Sequence, residues 1–160
     1  MEIFRVALFG HRNIEDLREI EQKLTPIITA LFRSKDFVEV YTGRNGDFDE
    51  IAASVIKGIQ KRMDERNNLL ILVLPYKVAK LIYYEKYYDE IWIPDRVYRV
   101  HPKAAITIKN RCMIEQADLV IVYVKNRKGG AYTAMRYADK SGKRVINLAD
   151  ETCKTTERLL

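Results

Sequence analysis

Ala117-Asp118-Leu119-Val120-Ile121-Val122-Tyr123-Val124, then Lys125-Asn126-Arg127-Lys128-Gly129-Gly130, then Ala131-Tyr132-Thr133-Ala134-Met135-Arg136-Tyr137-Ala138, read in turn as strand, loop and helix. The first segment is an unbroken apolar run rich in β-branched residues, as a strand buried on both faces requires. The last places Ala131, Ala134, Met135 and Ala138 at helical spacing. Between them, Gly129 and Gly130 put no side chain between the backbone and a ligand. A helix starting there offers free N–H groups and the positive end of its dipole, which together suit a phosphate or carboxylate. Lys125, Arg127 and Lys128 add positive charge to the loop.

The flanking chain repeats this alternation. Strands are expected over Ile3–Phe9, Phe37–Tyr41, Leu69–Leu74, Ile91–Ile93 and Arg144–Leu148, and helices over Ile14–Phe32, Phe48–Met63 and Pro102–Gln116. In the first helix Leu17, Ile20, Leu24, Ile27, Ile28 and Leu31 share one face, Asn13 is a candidate cap, and Pro26 should kink or break the helix. Strands alternating with helices predict an α/β fold with a mostly parallel sheet. Ligands of such sheets bind beyond the carboxyl ends of the strands, where strand order reverses. A single domain is expected over 1–150, with a peripheral polar tail over 151–160.

Composition bounds the function. The chain has 160 residues, 48% apolar and 31% charged, with a formal net charge of +6. No apolar run reaches the roughly 20 residues that span a bilayer, and no signal-peptide pattern opens the chain, so a membrane partner is not expected. Cys112 and Cys153 lie far apart and form no disulfide or metal-binding pattern, which fits a reduced cytoplasm. No metal or cofactor signature is present. The positive balance suits an anionic ligand or a merely solvated surface. A nucleic-acid partner is not expected, because basic and aromatic residues are not interleaved on one platform.

Two further loops join the glycine pair at the expected rim. Gly10-His11-Arg12 follows the first strand: Gly10 permits a tight turn and close ligand approach, Arg12 can grip a phosphate with two donors, and His11 is either a ligand contact or a cap for local backbone. The second loop carries Gly43, Arg44 and Asn45. Beyond it Asp47 reads as a helix cap, and Asp49 as a partner for a ribose hydroxyl. On the helix before the central strand, Lys109, Asn110 and Arg111 either point over the rim or form an exposed basic face. Tyr83, Tyr84, Tyr87 and Tyr88 suit base stacking, a lid or a subunit interface. The aromatic stretch Tyr76–Trp92 predicts self-association, in the simplest case a homodimer.

The stretches FGHR after the first strand, TGRNGDFD, IKNRCMIEQADLVIVY and GGAYTAMRYADKSGKRVINL, in this order, resemble the SLOG superfamily, the Rossmann-like group that takes in the Lonely Guy phosphoribohydrolases. More specifically the chain resembles its small stand-alone bacterial members. The resemblance covers Ile3 to Leu148. It implies a three-layer Rossmann-like fold and a nucleotide or nucleotide-derived ligand at the rim. Lonely Guy enzymes carry PGGxGTxxE, whose glutamate takes part in cleaving an N-glycosidic bond. Gly129, Gly130 and Thr133 match; Lys128 stands for the proline, Tyr132 for the third glycine and Arg136 for the glutamate. A guanidinium cannot replace a catalytic carboxylate. The expectation is therefore ligand binding, in a sensor for instance. Gly130 would meet the anionic group and Thr133 add a hydroxyl donor, unless the glycines serve the turn alone. The alternative is a hydrolase or transferase acting on a nucleotide N-glycosidic bond, for which Asp49 and Glu115 are the candidate carboxylates.

Overall fold

The structure, a computed structural model, describes residues 1–150. The tail expected over 151–160, with Cys153, lies outside the described residues. Six strands form one sheet: β1 (Ile3–Gly10), β2 (Phe37–Thr42), β3 (Asn68–Val73), β4 (Glu90–Trp92), β5 (Leu119–Tyr123) and β6 (Arg144–Asn147). Five α-helices connect them: α1 (Leu17–Ser34), α2 (Asp47–Arg62), α3 (Leu81–Tyr87), α4 (Pro102–Gln116) and α5 (Gly130–Lys140). A 3-10 turn over Asp95–Arg99 precedes α4.

The strand order is β4-β3-β2-β1-β5-β6 and every pairing is parallel. The chain steps outward from β1 to β4, then returns through α4 to lay β5 on the free side of β1. Strand order reverses between β1 and β5, so the crevice at their carboxyl ends is where a ligand is expected.

Period-two alternation sorts the strand side chains into two cores. Val6, Leu8, Leu119 and Ile121 face α1 and α2, among Ile20, Leu24, Phe48 and Ile56. Ala7, Phe9, Val120 and Val122 face α4 and α5, among Met113, Ile114, Ala131 and Ala134. Both faces are covered, which is why β5, β3 after Asn68 and β1 apart from Arg5 read as apolar runs. None of the described helices is long and apolar enough to cross a membrane. Cys112 is buried and free.

The first helix departs from expectation at both of its special residues. Asp16, not Asn13, is the cap: its side chain accepts from the Glu19 N–H at 3.2 Å, so the helix begins three residues later than expected and Leu17 is exposed. Pro26 does not break the helix, which runs through it as one element. Pro26 and Gln22, whose carbonyl loses its helical donor, both lie on the exposed face, where that carbonyl is open to solvent.

Candidate functional site

A cavity of about 490 Å³ opens at the β1–β5 crevice. The loop after β1 (Gly10 to Asn13) forms one wall, with Gly43, Asn45 and Asp49 beside it. Asn126, Gly129, Gly130 and Ala131 form the facing wall, and Ile106, Lys109 and Asn110 of α4 close the third side. All three loops expected at the rim therefore meet at one place.

The first two loops are stitched to each other. Asp47 N–H donates to the Arg12 carbonyl at 2.8 Å, and the Asp47 carboxylate accepts from Ile14 N–H at 2.9 Å. Asp47 is thus not a side-chain cap for α2, as expected from sequence; Gly46 holds the cap position and Asp47 ties the neighbouring loop instead. Gly46 has φ +122°, and a Cβ there would lie 2.5 Å from Arg12 Cα. Its freedom from a side chain is what lets the loops cross.

Gly10 and Gly43 have reasons for being glycine that the sequence did not reveal. A Cβ on Gly10 would sit 2.5 Å from Phe48 Cβ, against a ring with no solvent exposure. A Cβ on Gly43 would lie 3.0 Å from Asp49 Oδ2 and 3.2 Å from Lys109 Nζ. Gly10 makes room for the core, and Gly43 for a charged pair beneath the cavity. By contrast, a Cβ on Gly130 would meet nothing within 4 Å, and its φ is ordinary. Gly129, at φ +90°, carries the backbone turn into α5.

His11 caps backbone. Its Nε2 accepts from Lys125 N–H at 2.9 Å and from Asn126 N–H at 3.2 Å, bracing the β5 loop against the β1 loop. Of the two roles open to it from sequence, the structure favours the cap. Burial holds its pKa below the ordinary 6.5, and acceptance by Nε2 requires the neutral ring. The unfolded chain therefore takes up the proton first. His11 contributes its full stability above pH 6.5 and loses it as pH falls from there towards the folded-state value. Replacing His11 with Ala should cost about 1–2 kcal/mol at pH 7.5, for two backbone donors left unpaired. The gap in melting temperature between wild type and H11A should close on titration to pH 5. A gap independent of pH would contradict the neutral-acceptor assignment.

Of the two placements open to Lys109 from sequence, over the rim or on an exposed basic face, the structure shows the first. Its side chain is only 5% exposed, lines the cavity, and makes no hydrogen bond or ion pair to any described residue. Burial lowers its pKa to about 8, opposed by the charge of Asp49. The signal was present: Lys109 lies four residues from both Ala105 and Met113, on the apolar face of α4. A lysine at such a position, in a helix whose other face already supplies solvent contacts, points to a charge kept inside. The Asn110 Oδ1 beside it is buried without a hydrogen-bond partner.

Asp49 also lines the cavity, yet one carboxylate oxygen already accepts from Asn45 N–H at 2.8 Å. Burial raises its pKa, against the lowering effects of that N–H, Lys109 and Arg12. Arg12 and Asn45 line the cavity as expected. Arg44 does not: its Nη1 reaches the Tyr84 hydroxyl at 3.4 Å, with the guanidinium 5.6 Å from that ring's centre. Arg111 and Thr133 line a smaller adjoining cavity instead. The Thr133 hydroxyl donates to the Gly129 carbonyl at 3.1 Å, so its proton is engaged within the helix rather than free for a ligand. Glu115 lines neither cavity; its carboxylate accepts from Arg96 and from the Tyr137 hydroxyl.

No family model matches the chain, and no curated protein matches it significantly. Among solved structures, the X-ray structure of DNA processing protein A (DprA) from Streptococcus pneumoniae is similar in fold, with a TM-score of 0.65 at 15% identity. The match covers 94% of this chain and 54% of that one, so this chain spans about half the length of that protein. The fold is Rossmann-like.

Proposed function

We propose that residues 1–150 form a single SLOG-type unit that binds a nucleotide or nucleotide-derived anion in the β1–β5 crevice, in a cytoplasmic protein. One observation carries the reading: Lys109, buried and without an acceptor, faces the same cavity as the N-terminus of α5. A buried ammonium without a hydrogen-bond acceptor is costly, and the nearby Asp49 charge offsets only part of that cost. An anion received by the free N–H groups of Gly130 and Ala131 supplies the missing acceptor, and Arg12 on the opposite wall can add a bidentate contact.

Adenosine 5′-monophosphate is a suitable probe by calorimetry. Replacing Lys109 with Met should weaken its binding by at least about tenfold, the worth of one charge-assisted hydrogen bond. The wild-type affinity should fall as pH rises through about 8, where the free protein's Lys109 loses its proton. K109M should lose that dependence. If no nucleotide monophosphate, ADP-ribose derivative or oligonucleotide binds or raises the melting temperature, the reading fails.

The second reading, cleavage of a nucleotide N-glycosidic bond, rests on Asp49 alone, because Glu115 stands outside both cavities. Free base released from nucleoside monophosphates, and lost in Asp49→Asn, would replace binding by hydrolysis. The likeness to a DNA processing protein also removes the ground for setting nucleic acid aside. A terminal phosphate of a strand is an occupant of the same chemistry, distinguished by an affinity for oligonucleotides that falls steeply with salt. Self-association belongs to the proposal too: α3 has no buried residue, and Ile82 and Tyr83 are 67% and 75% exposed. A clean monomer by light scattering at high protein concentration would refute it.

A further inference from the structure

A second cavity, of about 230 Å³, lies between α4 and α5 and shares Ile106, Asn110 and Gly130 with the first. Its walls differ in kind from those of the crevice. Ile106, Ile114 and Ala134 make an apolar floor. Arg111, Arg136 and Lys140 stand around its edge. None of the three forms an ion pair with a carboxylate among the described residues. Arg111 lies 5.0 Å from the centre of the Tyr137 ring, and that contact props its guanidinium over the groove. At the junction of the two cavities sits Asn110, whose buried Oδ1 has no donor.

We infer that the ligand carries two separated phosphates: one on the α5 N-terminus beside Lys109, the other on the Arg111–Arg136–Lys140 edge, with a sugar between them donating a hydroxyl to Asn110 Oδ1. This rests on the anion-binding reading above and extends it to a ligand class, nucleotides bearing a further phosphate beyond the ribose. Three observations converge on it. The cations of the second cavity, Arg111 on α4 and Arg136 and Lys140 on α5, line only the second space, apart from the phosphate that Gly130 and Lys109 hold. The shared Asn110 oxygen calls for a donor, which neither phosphate at neutral pH supplies but a ribose hydroxyl does. The apolar floor takes the flat face of a ring that would otherwise be wet.

Arg136 holds the place at which the Lonely Guy motif has its glutamate. In this chain that position presents a cation to the groove.

The test compares adenosine 5′-monophosphate with adenosine 3′,5′-bisphosphate, which differ by one phosphate. Both are titrated at 0.15 M salt against wild type and against the double variant R136Q/K140Q. Both replaced side chains are exposed and outside the first cavity, so the fold and the first phosphate site are preserved. The bisphosphate should bind wild type at least about tenfold more tightly, the worth of its added charge-assisted contacts. In the double variant that advantage should collapse to about twofold or less, while the monophosphate affinity stays within about twofold of wild type, the size of a screened long-range effect. Equal affinity of the two nucleotides for wild type overturns the inference and leaves anion binding standing. So does an advantage that survives in the variant, or an equal loss for both nucleotides, which would mark general attraction to positive charge. If neither nucleotide binds wild type, the function and the inference fall together.

Discussion

Gly130→Val should lower the affinity for adenosine 5′-monophosphate by about tenfold to a hundredfold, one or two charge-assisted hydrogen bonds, and leave the protein folded. A Cβ at this position meets no atom of the protein within 4 Å and requires no unusual φ. The isopropyl group therefore projects into the cavity, over the first N–H groups of α5, where the anion must approach. The substitution carries no helix-propensity cost, because valine is no poorer a helix former than the glycine it replaces. Gly129→Val is the internal control. At φ +90° a side chain is strained, so this variant should lose about 1–3 kcal/mol and melt early. Thermal melting and calorimetry on both variants separate the two jobs of the glycine pair. If Gly130→Val melts early and binds normally once folded, the pair serves the turn alone.

Gly10→Val is expected to fail in the opposite way, through the core. Its Cβ would lie 2.5 Å from Phe48 Cβ. Phe48 cannot yield: it has no exposure, and α2 is pinned at its first turn by the bonds from Asp47 to the β1 loop. Overpacking of this kind costs about 3 kcal/mol or more. For a chain of this size that lowers the melting temperature by roughly 6–12 °C. Phe48→Ala opens the space that the new side chain needs. The double variant should therefore be markedly less destabilised than the sum of the single ones. Strict additivity would mean that Gly10 and Phe48 do not compete for one volume. Gly10 lines the same cavity as Gly130, so a binding assay alone would make the two glycines look alike; stability tells them apart.

The sequence by itself determined the architecture. Strands buried on both faces must be apolar at nearly every position, and that condition marks β5 throughout, β3 after Asn68 and β1 apart from Arg5, without reference to anything distant. The helical spacing of α1, α2 and α5 is equally local, and Pro102 marks the first turn of α4. From alternation alone the parallel sheet followed, and from its topology the rim where Gly10, Asn45 and Gly130 now meet. Tertiary structure decided which residues at that rim face the cavity. Arg44 turns to Tyr84 and Glu115 to Arg96, because each finds its partner on an element distant in sequence. His11 acts on the backbone of a loop more than a hundred residues away, and Asp47 on the loop before α1. The reason that Gly10 is glycine lies in Phe48, on another helix. Periodicity reports whether a residue faces in or out. It does not report what waits inside, so Lys109 could be placed on the apolar face of α4, but only the packing of α4 against the β1–β5 crevice made it a buried ammonium without a hydrogen-bond acceptor in a cavity.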